Sequence, residues 1–416
     1  MNPKIYPFKE HGMSIDKIDS DALYVMEKLR EAGFVAFLVG GGVRDLLLNK
    51  IPKDFDISTS ARPEEIKRLF RNSILIGRRF RLAHIRFGKK ILEVSTFRSG
   101  DTETDSLIIR DNNWGTPEQD ALRRDFTING LFYDSSNQTI IDYVDGYPDI
   151  EKKYLRTIGQ PFLRFKQDPV RMIRLLKFKA RFGLDICPDA HMALLDCRGE
   201  IIKSSQARIL EELLRMLESG SSRSFFHLMT ENGILQLLLP ALASFLETQN
   251  GDEIFSYLTE IDRNFQDPEK IPLDRSVLLA CFLFPFLQTH LETLFIQRQK
   301  IPHLGEVHQE SYRVIDTIFQ PFFLLSRRIR TSLMSILTAQ YRLTPFEKRR
   351  SHRLRIPSDP DFPFALQFLK IRSCLEPGFQ KIWEEWSAQL EHVELPVHAP
   401  RRPRKRIRRH RKDEPI

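Results

Sequence analysis

The sequence predicts an α/β (α+β) head with a mixed β-sheet, then an all-α neck and body, and a disordered basic tail. Three observations lead there. Short β-rich runs alternate with amphipathic helices up to about residue 150. From about Gln160 the β signal fades and apolar residues recur at helical spacing as far as Leu390. The chain then ends in a run of arginines.

In the head, helical spacing predicts helices over Asp21–Ala32 and Pro63–Phe70, and β-rich runs predict strands over Phe34–Val39, Asp54–Ser58, Ile74–Ile76, Ala83–Phe87 and Ile91–Phe97. Beyond it, helical spacing runs through Val170–Phe182, Arg208–Leu217 and Arg223–Leu239, and prolines from Pro268 to Pro396 cut the remainder into short helices. A chain of 416 residues exceeds one core. The expected division is an N-terminal extension (1–19), a head (20–158), a helical neck (159–250), a helical body (251–396) and the tail (397–416).

Hydrophobic content of 41% and charged content of 29% are those of an ordinary globular protein. The four cysteines show neither Cys-x-x-Cys nor zinc-ligand spacing, which argues for a reducing, cytoplasmic setting without a structural metal. The longest apolar run, Val277–Leu287, is too short to span a bilayer and contains Pro285, so it reads as a buried helix and no membrane partner is expected. Charge is uneven. Arg401, Arg402, Arg404, Lys405, Arg406, Arg408, Arg409, Arg411 and Lys412 are nine cations, and removing them would take the formal net charge from +9 to 0. Such a tail suits salt-sensitive attraction to a phosphate backbone; a solubility tail or an anionic-lipid binder is the alternative.

Chemistry concentrates at Asp54 and Asp56. Two carboxylates at i and i+2 of a strand share one face, about 6 to 7 Å apart, and can converge on divalent cations that activate a hydroxyl and steady a leaving pyrophosphate. Before them, Phe37-Leu-Val-Gly-Gly-Gly-Val-Arg-Asp45 reads as strand, glycine turn and helix. The bare backbone of Gly40 and Gly41 admits a phosphate, and Arg44 adds a forked donor. Taken singly, each pattern also fits a solvated turn. A third acid is Glu93, on the strand Ile91–Phe97, or Asp125, in Leu122-Arg-Arg-Asp-Phe-Thr-Ile-Asn-Gly130. The latter segment puts Arg124 on phosphate or ribose, or else is a capped helix with a charge cluster. Asp168, Arg171 and Arg174 fall at i, i+3 and i+6 of a helix starting at Pro169, where successive pairs are neighbours and present acceptors and donors suited to the edge of a base. A surface salt bridge is the bland alternative.

Taken in order, Gly-Gly-x-Val-Arg-Asp, Asp-x-Asp, Glu-Val-x-Thr-Phe-Arg, Arg-Arg-Asp-Phe-Thr-Ile-Asn and Asp-Pro-x-Arg-x-x-Arg resemble the class II nucleotidyltransferases of the polymerase β superfamily, over residues 34 to 240. These are bacterial poly(A) polymerases and CCA-adding tRNA nucleotidyltransferases. The resemblance implies that Asp54 and Asp56 bind Mg²⁺, or Mn²⁺ in its place. It implies that Gly40, Gly41 and Arg44 meet the triphosphate, that Arg124, Asp125 and Asn129 bear on ribose and phosphates, and that Asp168, Arg171 and Arg174 select the nucleotide. One position departs: where the family has Glu before the Asp of that helix, this chain has Gln167.

Within the family, Ser73–Gly88 resembles the segment marking poly(A) polymerases, since Ile85 and Arg86 replace the glycine-threonine of CCA-adding enzymes after His84. Arg78, Arg79 and Arg81 add three cations suited to an RNA backbone. The expected activity is template-independent addition of AMP from ATP to RNA 3′ ends, in mRNA processing and decay, with RNA-decay or RNA-chaperone proteins as partners. CCA addition to tRNA is the alternative, and a degenerate RNA-binding protein a more distant one.

Overall fold

The computed structural model, which describes residues 2–77, 82–100, 113–267, 269, 272–320, 322–344 and 357–390, builds the head on one eight-stranded sheet. Its strands are β1 (Lys4–Tyr6), β2 (Ala36–Val39), β3 (Asp56–Thr59), β4 (Ser73–Ile76), β5 (Leu82–Phe87) and β6 (Lys90–Thr96). Past the short pair β7 (Arg98–Ser99) and β8 (Asn113–Trp114), β9 (Leu131–Asp134) and β10 (Thr139–Asp142) complete it. The order is β1-β10-β9-β2-β3-β6-β5-β4. All neighbours are antiparallel except β3 and β6, so the sheet is mixed as the sequence predicts.

Register decides what the sheet displays. Val39 pairs with Asp56 and Phe37 with Ser58, while β6 runs parallel to β3 with Ile57 opposite Val94. Side chains alternate across a strand, so Phe37, Val39, Asp56, Ser58, Glu93, Ser95 and Phe97 share one face. Phe37, Val39, Phe97, Ala121 and Phe132 form a core cluster on it, and the polar members lie beside that cluster. The opposite face is covered by the helix Ser20–Glu31, which buries Ala22, Val25, Met26 and Leu29 at helical spacing and starts where the Asp19 carboxylate accepts from the amide of Asp21 at 2.9 Å.

Several boundaries differ from expectation. β3 begins at Asp56, leaving Asp54 in the preceding loop. The stretch expected to be an N-terminal extension contributes β1 as an edge strand on β10; three residues give no readable alternation. The neck shares one unit with the head. That unit runs to Pro272 and adds Ile315–Leu325, so the boundary expected after residue 250 falls after 272. The reason is the helix Gly251–Gln266: its Asp262 carboxylate accepts the amides of Ser222 and Arg223, at 2.7 and 3.0 Å, and so caps the helix Ser222–Glu231.

The neck helix Val170–Phe182 starts behind Pro169 and ends at Gly183, whose φ of 64° closes the last turn through its amide to the Lys179 carbonyl. A parallel pair, β11 (Tyr154–Leu155) with β12 (Asp185–Ile186), ties the end of the head to the neck. The second unit, Leu273–Val314 and the chain from Ser326, is helical among its described residues. One helical stretch, Arg275–Arg298, has the length and apolarity to cross a bilayer. Val277 to Phe284 and Leu287 are nonetheless buried, so it is a core helix.

Candidate active site

Among the described residues neither the Asp54 nor the Asp56 carboxylate has a hydrogen-bond or close ion-pair partner, and Arg124 acts on Asp56 only at longer range. Glu93 lies beside them through the β3–β6 register, and its carboxylate is 3.2 Å from His84 Nε2 on β5. Burial and the charges of Glu93 and Asp54, against the pull of Arg124, push the Asp56 carboxyl up to about 6. Asp54 and Glu93 both act on Asp56 as like charges, a repulsion that a divalent cation would relieve, so these carboxylates fit one. Among the described residues no three acidic, histidine or cysteine side chains form a ready metal cage. Mg²⁺ suits such a site, because it is commonly held by one or two carboxylates together with substrate phosphates.

The glycine turn faces these acids. Gly40 has φ 66° and ψ −127°, a conformation L residues rarely adopt. A methyl group there would lie 3.0 Å from Arg124 Nη1, so the missing side chain makes room for an arginine. Arg124 Nη2 donates to Asp120 Oδ2 at 2.8 Å, and Arg123 donates to Oδ1 of the same carboxylate at 2.8 Å. Asp120 is fully buried; burial alone would raise its carboxyl, but the two guanidiniums hold it below the usual carboxylate range.

Behind the turn runs a buried relay. Arg44 is 5% exposed. Its Nε and Nη2 donate to Asp45 Oδ1 at 2.8 and 2.5 Å, and its Nη1 to Asn129 Oδ1 at 2.6 Å. Phe178 and Phe182 of the neck helix cover the guanidinium, each ring centroid 4.7 Å away. Asn129 Nδ2 in turn donates to Asp125 Oδ1 at 2.9 Å, and Arg174 Nη2 lies 2.9 Å from Asp125 Oδ2. Burial would raise the Asp125 carboxyl, yet Arg174, Asn129 and Arg171 hold it below its ordinary value.

The neck helix supplies free donors to the same region. Arg171 Nη2 donates to the Arg123 carbonyl at 3.3 Å, while its buried Nη1, like Arg174 Nε and Arg124 Nε, has no acceptor among the described residues. Unsatisfied buried N–H groups are costly, and a ligand's acceptors would satisfy these. Asp168 pairs with Arg208 Nη2 at 2.9 Å, from the helix Gln206–Leu217.

Comparison with known proteins places the chain. A family model described as the poly A polymerase head domain matches residues 36–156, and one described as "Probable RNA and SrmB-binding site of polymerase A" matches 183–246. Poly(A) polymerase I of Escherichia coli O157:H7 is 34% identical over 97% of this chain and 92% of its own length. That of Haemophilus influenzae is 33% identical over 88% and 84%. The CCA-adding enzyme of Streptococcus gordonii is 35% identical, but over 52% of this chain and 55% of its own. The chain belongs to the bacterial poly(A) polymerase I family. Its fold is also that of the Bacillus stearothermophilus CCA-adding enzyme crystallised with CTP, at a TM-score of 0.62 and 22% identity over 88% of this chain and 82% of that one.

Within this poly(A) polymerase framework several sequence expectations are revised. Arg44, expected at the triphosphate, is enclosed by two phenylalanines and donates to Asp45 and Asn129. Asp125 is the anchor of that relay rather than a companion of Asp54 and Asp56, and Glu93 is the acid beside them. On the helix expected to read a base, each polar group has a partner from another element: Arg208 for Asp168, the Arg123 carbonyl for Arg171, Asp125 for Arg174. Arg78, Arg79, Arg81 and the tail arginines lie outside the described residues.

Three contributors escaped sequence reasoning. Asp120 carried a usable signal, the i, i+4 spacing to Arg124 on the helix Pro117–Leu122 and its continuation. Asp45 directly follows Arg44, and adjacency alone gave no sign that the two pair. Arg164, whose Nη2 clamps the carbonyls of Arg123 and Arg124 at 2.8 and 2.6 Å, is 40 residues distant and carried none. Gln167, the departure from the family pattern, is buried, and its Oε1 accepts from Arg164 Nη1 at 3.2 Å. It therefore supports that clamp from within.

Proposed function

We propose that this protein is a cytoplasmic RNA adenylyltransferase that joins AMP from ATP to RNA 3′-hydroxyl groups and releases pyrophosphate. The observation that carries the reading is the Asp54–Asp56–Glu93 cluster, whose like charges and burial push the Asp56 carboxyl up, with His84 on Glu93 and Arg124 beside Asp56. Mg²⁺ held there by Asp54 and Asp56 would supply Lewis-acid activation of the hydroxyl and charge neutralisation for the leaving pyrophosphate. Glu93, oriented by His84, completes the acidic set. Arg124, aimed by Asp120, provides a fixed cation for the phosphates, and a preorganised donor of this kind acts without reorganisation cost. Arg171, with its free buried Nη1, and Asp168 present a donor and an acceptor to the base. Phosphoryl transfer depends mainly on such positioning and charge.

The length over which the poly(A) polymerase I relatives match, about the whole chain against half for CCA-adding enzymes, favours poly(A) synthesis. The test is a product assay with purified protein on a generic RNA and on a tRNA lacking its end, with ATP alone or with CTP. Long A-tails on generic RNA are expected. Additions of three nucleotides confined to tRNA and requiring CTP would replace this reading, and tailing that survives Asp54→Ala and Asp56→Ala would remove it.

A further inference from the structure

The helix Arg327–Leu343 of the second unit is strongly basic at its start. It carries Arg327, Arg328, Arg330 and Arg342, and no acidic residue occurs from Thr317 to Phe346. Three of the four arginines stand in the first turn, where the helix macrodipole is positive and cations are disfavoured. Arg327 and Arg328 are exposed, and among the described residues neither has an acidic partner. Arg330 lays its guanidinium 4.3 Å from the ring centroid of Tyr312, on the helix Leu304–Phe319. Tyr312 is 50% exposed.

A guanidinium stacked on an exposed aromatic ring, flanked by unneutralised cations, matches the chemistry of a single nucleic-acid strand: bases stack on the flat pair and phosphates meet the charges. We infer that Tyr312 and Arg330, with Arg327 and Arg328, form a docking surface for single-stranded RNA on the second unit. The RNA as partner rests on the proposed function. A duplex is a poorer fit, because its bases are already stacked and offer no face to Tyr312.

The test uses full-length protein and a fluorescein-labelled single-stranded oligoadenylate, read by anisotropy without ATP or divalent metal, between about 50 and 200 mM salt. The double variant Arg327→Gln/Arg328→Gln should lower the slope of log affinity against log salt by about 1.4, from roughly 0.7 per phosphate contact on a single strand. Its thermal midpoint should be unchanged or higher, since two cations leave the positive end of the helix. Tyr312→Ala should weaken binding about tenfold with the slope unchanged, by loss of one stacked base, and Tyr312→Phe should restore it. Affinity and slope retained in both variants would overturn the surface. So would variants that keep RNA affinity and lose binding to vesicles containing anionic phospholipid. Because AMP transfer is measured separately, loss of RNA binding in the variants upholds the surface even where transfer fails.

Discussion

Arg174 Nη2 lies 2.9 Å from Asp125 Oδ2, and the other oxygen of that carboxylate accepts from Asn129 and from the Phe126 amide. The neck helix Val170–Phe182 is therefore tied to the head through a buried acid. Asp125→Asn leaves Arg171 and Arg174 without their counter-charge, and breaking a buried pair in this way costs about 3–5 kcal/mol. Urea unfolding should show a loss of that size, with a reduced preference for ATP over CTP. The sign with pH follows from the depressed carboxyl: its stabilisation is present above the ordinary carboxylate range and is lost as pH falls through the folded value. Wild type should lose stability below about pH 4 more steeply than Asp125→Asn; parallel curves would contradict the pairing.

Asp56 behaves oppositely. Its carboxyl is pushed up to about 6, so the folded state holds a proton that the unfolded chain has released, and stability falls as pH rises from the ordinary carboxylate range through about 6. Asp56→Asn should abolish transfer while raising the thermal midpoint at pH 8 by about 2–4 °C, the size expected for roughly 1 kcal/mol. Mg²⁺ should raise the midpoint of wild type and leave that of the variant unchanged. A variant less stable than wild type at pH 8 would show that the three acids do not repel one another.

How much of this was legible beforehand depended on distance along the chain. β2, β4, β5 and β6 announce themselves by apolar periodicity, and Asp54 with Asp56 by spacing after a glycine turn. The choice between Glu93 and Asp125 was not legible, because it turns on the parallel pairing of β3 with β6, which no local pattern encodes. The partners of Asp168 and Arg174 were not legible for a similar reason. Helical spacing proposes neighbours on one helix, whereas burial brought Arg208 and Asp125 from other elements. The charge of the helix Arg327–Leu343 was visible in the sequence, but the denser arginine tail masked it.

The enclosure of Arg44 predicts a separation of effects. Arg44→Lys loses the fork that joins Asp45 to Asn129 and leaves an ammonium between Phe178 and Phe182, which should destabilise the protein by about 3 kcal/mol. Phe178→Leu should reproduce part of that loss. Inhibition by inorganic tripolyphosphate should change less than about twofold in Arg44→Lys, since the side chain's donors are already taken by Asp45 and Asn129, and fall about tenfold in Arg124→Lys, the loss of about 1.4 kcal/mol expected from one charge-assisted contact. Tenfold weaker inhibition in Arg44→Lys would return Arg44 to the triphosphate.

Gly40 and Arg124 give the sharpest test of how the turn works. Alanine at Gly40 must adopt φ 66° with ψ −127° and place its methyl group 3.0 Å from Arg124 Nη1. The backbone strain alone is worth about 1–3 kcal/mol. The displaced guanidinium would also loosen its bond to Asp120. Gly40→Ala should therefore lower both the thermal midpoint and kcat. In Gly40→Ala/Arg124→Lys the smaller ammonium relieves the clash, so the stability losses should sum to less than those of the single variants, by about 0.5–3 kcal/mol for residues in contact. Activity should not recover with stability, because the fork that Asp120 aims is gone. Additive losses in stability would mean that the glycine serves the backbone alone, and that Arg124 reaches its place without it.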